Sequence, residues 1–273
     1  MSTIVLITGC STGIGRALAL EFNARGHIVY ASARRPEALS DLSQRGIKAL
    51  ALDVDDAASI ARTVQAIRSE QGRLDVLVNN AGFAAMGPLV ELPLAQLRKQ
   101  YETNVFAPIA LVQAALPLLQ RGARVVNIGS VSGILTTPFS GAYCSTKAAL
   151  HSLSDALRLE LAPFGIHVIT VQPGGIASDF GKTAGQGLDW LTPASRYAPI
   201  RAAIEARAHA SQDDPTPVGE FAQAMVRAVL AERPAAVLRY GHGSRLMPFL
   251  KRWLPTSTLD RVLSRRFKLT ELQ

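Results

Sequence analysis

The sequence predicts an α/β protein built on one doubly wound parallel sheet with helices on both faces. Apolar runs of strand length alternate with helix-periodic stretches from the N-terminus to about residue 240. The apolar runs are nearly continuous, which is typical of parallel strands buried on both faces. No linker-like stretch divides the 273 residues, so we expect one domain over 1–273.

Composition argues against several classes of protein. The chain has only two cysteines, Cys10 and Cys144, so no disulfide framework is expected and a reducing compartment fits. No signal peptide precedes the first apolar run, and no apolar stretch approaches the ~20 residues of a membrane span. Five scattered histidines without clustered carboxylates or thiolates predict no metal site. We therefore predict a cytoplasmic protein with metal-free chemistry.

The first element reads as a strand, a glycine turn and a helix. The apolar run within 2–8 leads into Gly-Cys-Ser-Thr-Gly-Ile-Gly, and helix-periodic residues follow from Arg16 to Phe22. Gly9, Gly13 and Gly15 allow a tight turn and a close approach to a pyrophosphate, whose charge suits the helix N-terminus. The spacing is G-x-x-x-G-x-G and departs from the G-x-G-x-x-G fingerprint.

The second predicted strand lies within 27–35 and ends without an acidic residue. An acid there would bind the ribose 2′-hydroxyl of NAD. Arg34 and Arg35 stand in its place, and guanidinium groups suit a 2′-phosphate in charge and geometry. The cofactor predicted is therefore NADP(H), with two solvated loop arginines as the alternative interpretation.

The third and fourth predicted strands lead into further cofactor candidates. The run over 48–54 reaches Asp53, whose carboxylate is suited to accept a hydrogen bond from an adenine amine. The fourth run continues into Asn79, Asn80, Ala81 and Gly82, where small residues permit close approach of the backbone to a cofactor.

Three residues form a candidate site for proton transfer to or from an alcohol oxygen. Tyr143 and Lys147 are one helical turn apart, and Ser130 ends the preceding apolar run. An ammonium beside the phenol favours the phenolate and lowers the phenol pKa, while a serine hydroxyl holds the substrate oxygen. The spacing alone also fits a phenol packed on an aliphatic stem with a solvated amine.

Taken together, these motifs resemble the short-chain dehydrogenase/reductase family, which has a Rossmann fold. The resemblance extends to about residue 240, with the motifs in family order: Thr8-Gly9-x3-Gly13-Ile14-Gly15, Asp53, Asn79-Asn80-Ala81-Gly82, Asn104, Ser130, Tyr143-x3-Lys147 and Pro173-Gly174.

The resemblance implies that Ser130, Tyr143 and Lys147 are catalytic and that Asn104 holds a water in the proton relay behind Lys147. Without the family, Asn104 reads equally well as a core amide that interrupts a helix. The implied cofactor-binding set is Gly9, Ser11, Gly13, Ile14, Gly15, Arg34, Asp53, Asn80, Ala81, Gly82, Tyr143, Lys147, Pro173, Gly174, Ile176 and Ser178. Ser178 replaces the usual threonine, so its contact with the cofactor is expected to be weaker.

Residues 178–216 correspond to the family's helical substrate lid. Apolar side chains there and after Ser130 are candidate pocket walls, with packing of the lid onto the body as the alternative. These candidates are Phe180, Trp190, Leu191, Ile134 and Phe139.

The stretch 239–273 reads as a basic amphipathic extension. It holds eight Lys or Arg against two acids, and Leu259, Val262, Leu263 and Phe267 form a helical apolar stripe. Three interpretations stay open: packing on the body or a second subunit, covering the pocket, and peripheral contact with an anionic membrane.

The motifs look most like the branch that contains retinol dehydrogenases, 17β-hydroxysteroid dehydrogenases and acyl-dihydroxyacetone-phosphate reductases. This implies an NADP(H)-dependent oxidoreductase of a hydrophobic ketone, aldehyde or alcohol, and relatives suggest a homo-oligomer. The rival is a dinucleotide sensor without turnover, although a sensor needs no proton relay. Nucleic-acid binding is not expected, because the excess charge lies in an amphipathic tail without a recognition motif.

Overall fold

The protein, described by a computed structural model over residues 2–185 and 188–272, contains one seven-stranded sheet within those ranges. Met1, residues 186–187 of the predicted lid and Gln273 of the predicted extension lie outside the described residues. The strands are β1 (Ile4–Ile7), β2 (Ile28–Ala33), β3 (Lys48–Ala51), β4 (Leu74–Asn79), β5 (Leu119–Ile128), β6 (His167–Pro173) and β7 (Val237–Tyr240). Their order is β3-β2-β1-β4-β5-β6-β7 with every neighbouring pair parallel, which confirms the predicted doubly wound sheet.

Helices connect the strands and cover both faces of the sheet. They are α1 (Gly13–Ala24), α2 (Ser40–Ser43), α3 (Ala57–Gln71), α4 (Leu94–Tyr101), α5 (Ala107–Ala115), α6 (Gly141–Leu161), α7 (Phe180–Gly185), α8 (Arg201–His209), α9 (Val218–Val229), α10 (Leu246–Trp253) and α11 (Thr256–Arg266). Local chemistry sets the ends of α3: the Asp56 carboxylate accepts a hydrogen bond from the Ala58 amide at 2.9 Å, and Gly72 closes the helix at φ 69°.

Alternation along the strands divides the core into two layers. In β1, Val5 and Ile7 face the cluster that contains α1 and α9, whereas Ile4 and Leu6 face the one that contains α3 and α5. All four side chains are at most 2% exposed. The near-continuous apolar pattern seen in the sequence therefore reflects burial on both faces.

The strand order reverses direction beside β1, which lies between β2 and β4. In open parallel sheets, ligands bind in the crevice at the carboxyl ends of the strands beside such a switch point. Thr8 follows β1 there and Asn80 follows β4. The Thr8 hydroxyl oxygen accepts hydrogen bonds from the Asn80 and Ala81 amides at 3.0 and 2.9 Å, which joins the two strand ends.

The seventh strand takes in the first two residues of the stretch that the sequence assigned to the C-terminal extension. Val237 pairs with Thr170 and Tyr240 with Pro173, so residues 239–240 belong to the sheet. This edge strand is only four residues long and partly exposed, which leaves little hydrophobic pattern to detect.

The segment beyond β7 folds back on the residues around α8. Phe267 at the end of α11 packs with Phe139, Ile200 and Ile204 in a satellite cluster, and Leu263 joins it. The Phe139 and Phe267 rings meet edge to face with centres 6.5 Å apart. Of the three interpretations of the extension, packing on the body therefore describes α11, while α10 has no buried residue.

Candidate active site

Helix α6 carries Tyr143 and Lys147 on one face, and both side chains are buried. Tyr143 is 9% exposed and Lys147 is 5% exposed, so the interpretation of a solvated amine is wrong. The Lys147 ammonium donates a hydrogen bond to the Ile128 carbonyl at 2.7 Å and lies 5.8 Å from the centre of the Tyr143 ring. The end of β5 therefore holds the lysine beside the phenol.

Ser130 reaches the same point from the loop after β5. Its hydroxyl oxygen accepts a hydrogen bond from the Ser132 amide at 3.1 Å, which opens a short helical turn, and the hydroxyl lies close enough to Tyr143 to act on the pKa of the phenol. The trio singled out in the sequence is thus brought together in space.

The electrostatics of the trio differ from the sequence prediction. Burial raises the pKa of Tyr143 to about 12, although the Ser130 hydroxyl and the positive charge of Arg207 act in the opposite direction. Burial lowers the pKa of Lys147 to about 8. The net shift of the phenol is upward rather than downward, because desolvation of the phenolate outweighs its charged and hydrogen-bonding neighbours.

Asn104 lies in a π-helical turn, Glu102–Phe106, inserted between α4 and α5. Such bulges frequently mark functional positions. The buried amide accepts a hydrogen bond from the Phe83 amide at 3.1 Å and donates to the Phe83 carbonyl at 2.9 Å and the Thr146 hydroxyl at 3.1 Å. The protein itself therefore supplies hydrogen-bond partners for the Asn104 amide, as expected for an amide in the core.

Gly82 links Asn104 to the trio. A Cβ atom placed on Gly82 would lie 3.0 Å from the Asn104 carbonyl oxygen and 3.8 Å from the Lys147 ammonium nitrogen. Asn104, Gly82 and Lys147 therefore meet behind Tyr143, and the water relay through Asn104 stays a prediction.

The glycine turn after β1 is packed too closely to accept side chains. A Cβ on Gly9, whose φ is 71°, would lie 2.9 Å from the Ala81 Cα, and one on Gly15 would lie 2.5 Å from the Gly9 carbonyl oxygen. The Asn80 side chain donates to the Thr8 and Gly9 carbonyls at 2.8 and 3.1 Å, so Asn80 braces this turn.

The turn also leaves the N-terminus of α1 free for an anion. Thr12 precedes the helix without a side-chain capping bond, and the first turn contains no acidic residue. Gly13 has a φ of 61°, and Ser11 is exposed in the turn before it. Uncapped helix amides beside a glycine turn fit a pyrophosphate, so the residues present suit a dinucleotide. Ile14 lies in the first turn of this helix.

The candidates for the adenosine end follow β2 and β3, which are neighbouring parallel strands. Arg34 and Arg35 are exposed directly after β2, and neither forms an ion pair with another residue in the described part of the chain. Asp53 follows β3 and accepts a hydrogen bond from the Asp55 amide at 3.1 Å. The two candidate sites therefore lie at one edge of the sheet.

The loop after β6 reaches the glycine turn from the opposite side. Gly174 is pressed against the backbone of His242, and Ile176 is buried. A Cβ on Gly13 would lie 3.3 Å from the Ser178 Cβ, so the loop that begins at Pro173 meets the pyrophosphate turn.

Gln212, which the sequence did not single out, holds this loop in place. Its side chain donates to the Ile176 carbonyl at 3.1 Å and accepts from the Ser178 amide at 3.1 Å. No local signal marks a lone glutamine 34 residues away as a partner.

His151 is a second residue that the sequence did not single out. The Ser130 amide donates to its Nε2 at 3.4 Å, and burial together with the Lys147 charge lowers the pKa of the imidazole to about 4. His151 is therefore neutral and supports the serine loop. Its position one turn beyond Lys147 on the same helix could have indicated from the sequence that it faces the site.

Arg207 of α8 is a third residue that the sequence did not single out. Its guanidinium donates to the Thr137 hydroxyl at 2.8 Å and the Ser140 hydroxyl at 3.1 Å, directly before α6 begins. It connects α8 to the start of the helix that carries Tyr143, and nothing in its arginine-rich local sequence distinguishes it.

The surroundings of Tyr143 are apolar. Phe180 lies against the phenol with ring centres 5.4 Å apart, and Met86, Ala184 and Ala208 complete the cluster. The other predicted wall residues, Trp190, Leu191 and Phe139, pack in the satellite cluster instead. Ile134, also a predicted wall, is partly buried.

Among the described residues, no group of three His, Cys, Asp or Glu side chains is placed to hold a metal ion.

Comparison with known proteins finds relatives of this chain among reductases. A 3-ketodihydrosphingosine reductase from Bacteroides thetaiotaomicron is 37% identical over 179 residues, which cover 65% of each chain. An NADPH-dependent 3-dehydrocapnine reductase from Ornithobacterium rhinotracheale is 32% identical over 277 residues, covering 96% of each chain.

A solved structure gives the same result for the fold. The crystal structure of a short-chain dehydrogenase from Streptomyces avermitilis superposes with a TM-score of 0.80 at 34% identity, covering 99% of this chain and 96% of that one. Residues 3–189 also match the model of the short chain dehydrogenase family. The chain is therefore an oxidoreductase that belongs to the short-chain dehydrogenase family.

Proposed function

We propose that this protein is an NADP(H)-dependent reductase of a hydrophobic ketone or aldehyde, reversible as an alcohol dehydrogenase. The observation that carries the proposal is the buried set of Ser130, Tyr143 and Lys147 beside a glycine turn suited to a pyrophosphate. A protein that only binds a dinucleotide has no use for a buried phenol, hydroxyl and amine around one point.

The protein's own groups would handle the oxygen and its proton. A bound NADPH would provide the hydride that the carbonyl carbon receives. The Ser130 hydroxyl orients the carbonyl oxygen, and the Tyr143 phenol, protonated at neutral pH because its pKa is about 12, donates the proton that completes the alcohol. Lys147, whose ammonium lies 5.8 Å from the centre of the Tyr143 ring, would stabilise the phenolate left behind, and we infer that the proton returns through Lys147 and Asn104.

The preference for NADP(H) rests on Arg34 and Arg35. Both guanidiniums are exposed and lack internal ion-pair partners in the described chain, so they are available to a 2′-phosphate. The 3-dehydrocapnine reductase, a relative along nearly the whole chain, is NADPH-dependent.

The preference for a hydrophobic substrate rests on the residues around the phenol. Phe180, Met86, Ala184 and Ala208 surround Tyr143 with apolar surface, which favours an apolar group beside the reacting carbonyl. Two relatives reduce 3-ketodihydrosphingosine and 3-dehydrocapnine, so keto substrates of this kind belong in the first assay. The predictions of a homo-oligomer and of a cytoplasmic location stay predictions.

The test is NADPH oxidation by the purified protein and its Tyr143→Phe variant. The panel contains steroid ketones, retinal, long-chain aldehydes, acyl-dihydroxyacetone phosphate and 3-ketodihydrosphingosine, with NADH in parallel. We expect saturable activity, and a loss of about 10²- to 10⁴-fold in the variant, because a general acid contributes about that much.

Tyr101→Phe is the matched control, since it removes a phenol hydroxyl outside the site, and it should keep full activity. NADPH affinity of Tyr143→Phe, measured by fluorescence, should stay close to wild type. An active Tyr143→Phe variant would refute the assignment of the acid. NADPH binding without turnover on any substrate would favour the sensor.

A further inference from the structure

Helix α10 presents an apolar face to solvent. Leu246, Phe249 and Trp253 recur at helical spacing and are 57%, 58% and 65% exposed. No residue of this helix is buried, whereas Leu259 and Phe267 of the following segment are. The face is thus left without a partner within the described chain, although the adjoining helix is packed.

Basic side chains border this face. Arg245 precedes the helix and Lys251 and Arg252 lie in its last turn, while no acidic residue occurs in 244–255. The Arg252 guanidinium lies 5.6 Å from the centre of the Trp253 ring, and the Phe249 and Trp253 rings have centres 6.4 Å apart. Aromatic rings next to basic groups are the composition of helices that lie in a membrane interface.

We propose that α10 docks the protein on an anionic lipid bilayer, with Leu246, Phe249 and Trp253 at the boundary between headgroups and acyl chains and the basic groups at the headgroups. Charge complementarity favours this partner over a second copy of the chain. In a symmetric contact, two copies of the same basic face would bring like charges together, whereas phosphate headgroups neutralise them.

The docking would be peripheral. In the part of the chain that the structure describes, no helix has both the length and the apolar character needed to cross a membrane. The three apolar side chains would reach only the boundary between headgroups and acyl chains, as expected for a helix lying in the interface plane.

A groove lies beside α10. It has a volume of about 430 Å³ and lies between α11 and the loop 135–141 that follows Ser130. Lys251 of α10 is among the residues that line it, together with Leu135, Phe139 and Leu263. The inference therefore deepens the proposed function and rests on it in one respect: a lipid-like substrate would be taken from the bilayer rather than from water.

The experiment is sedimentation of the full-length protein with vesicles of phosphatidylcholine, either pure or mixed with phosphatidylglycerol. We expect capture by the mixed vesicles only. The Phe249→Ser/Trp253→Ser variant should bind them at least about tenfold more weakly, because two apolar anchors are lost. Lys251→Gln/Arg252→Gln should weaken capture about tenfold through two lost headgroup contacts.

Phe164→Ser is the matched control. Phe164 is also an exposed aromatic residue, at 64% exposure, but it lies after α6 and not on α10. It should bind like the wild type. On mixed vesicles, tryptophan emission should shift to shorter wavelength, and this shift should vanish in Trp253→Ser, which retains Trp190.

Failure of wild-type capture, or equal capture of all variants, would overturn the docking surface. A concentration-dependent dimer that Trp253→Ser dissociates would assign α10 to a second copy and also overturn the proposal. Turnover of the substrate panel with NADPH, without vesicles, is measured in the same samples. Normal vesicle binding with NADPH binding but no turnover of any panel substrate refutes the proposed function alone, and turnover without vesicle binding refutes the docking alone.

Discussion

At the scale of single residues, the proton donor is governed by desolvation. Burial raises the pKa of Tyr143 to about 12 and lowers that of Lys147 to about 8, so the cofactor-free site favours the neutral form of each group. The phenol is therefore an acid ready for carbonyl reduction at neutral pH. In the direction of alcohol oxidation the phenolate is needed, so we expect that rate to rise with pH.

Arg207 supplies a positive charge that favours the phenolate. Arg207→Met should move the pH dependence of alcohol oxidation to higher pH and lower kcat/KM near neutrality by about tenfold, the size of one charge interaction at short range in a protein. The measurement is a pH profile of kcat/KM.

Arg207→Lys keeps the charge and should retain most of the profile. Thr137→Val removes one hydrogen-bond acceptor of the guanidinium while leaving the charge, and serves as the packing control. If Arg207→Met and Thr137→Val lower activity equally without moving the pH profile of kcat/KM, Arg207 only holds α8 against the start of α6.

Arg34 should decide between the two nicotinamide cofactors. Arg34→Ala removes one charge-assisted contact to a 2′-phosphate, so KM for NADPH should rise about 10- to 100-fold while KM for NADH changes little. Steady-state kinetics with both cofactors measure this, and Arg35→Ala shows which arginine carries more of the effect. Equal weakening of both cofactors would make Arg34 structural.

At the scale of elements, α8 packs against the end of α11. Phe267 packs in the satellite cluster against Phe139, Ile200 and Ile204, although it follows Ile204 of α8 by 63 residues. Phe267→Ala should cost about 3 kcal/mol of unfolding free energy, as for other large-to-small core substitutions. Chemical denaturation measures the loss.

The contrasting variant is Val262→Ala on the same helix. Val262 is 52% exposed, so its truncation should change the unfolding free energy by less than about 0.5 kcal/mol. Hydrogen exchange should show loss of protection in α8 for Phe267→Ala only. Unchanged protection of α8 would mean that the extension and the lid are energetically independent.

Helix α6 shows how one element assembles a site. Tyr143, Lys147 and His151 recur every four residues and face the end of β5, where Lys147 reaches the Ile128 carbonyl and His151 accepts from the Ser130 amide. The same spacing that made Tyr143 and Lys147 visible in the sequence also applies to His151. A helix face is readable from sequence because its period is fixed.

At the scale of the whole molecule, the parallel sheet collects distant segments at one edge. Strands β1, β4, β5 and β6 all point their carboxyl ends the same way, so the loops that carry Gly9, Asn80, Ser130 and Ile176 converge. This convergence follows from parallel order and explains why motifs spread over 170 residues of sequence act at one place.

The sequence by itself determined the fold class, the strand-turn-helix at the N-terminus and the trio of Ser130, Tyr143 and Lys147. These features depend on local periods and on residue types at short spacing, which a linear chain displays directly. Tertiary structure alone decided the pKa direction of Tyr143, the roles of Gln212 and Arg207, the membership of residues 239–240 in the sheet, and the division of the extension into a packed α11 and an exposed α10. Each of these depends on burial or on contacts between residues far apart in the chain, and desolvation, charge interaction and packing act through space rather than along the sequence.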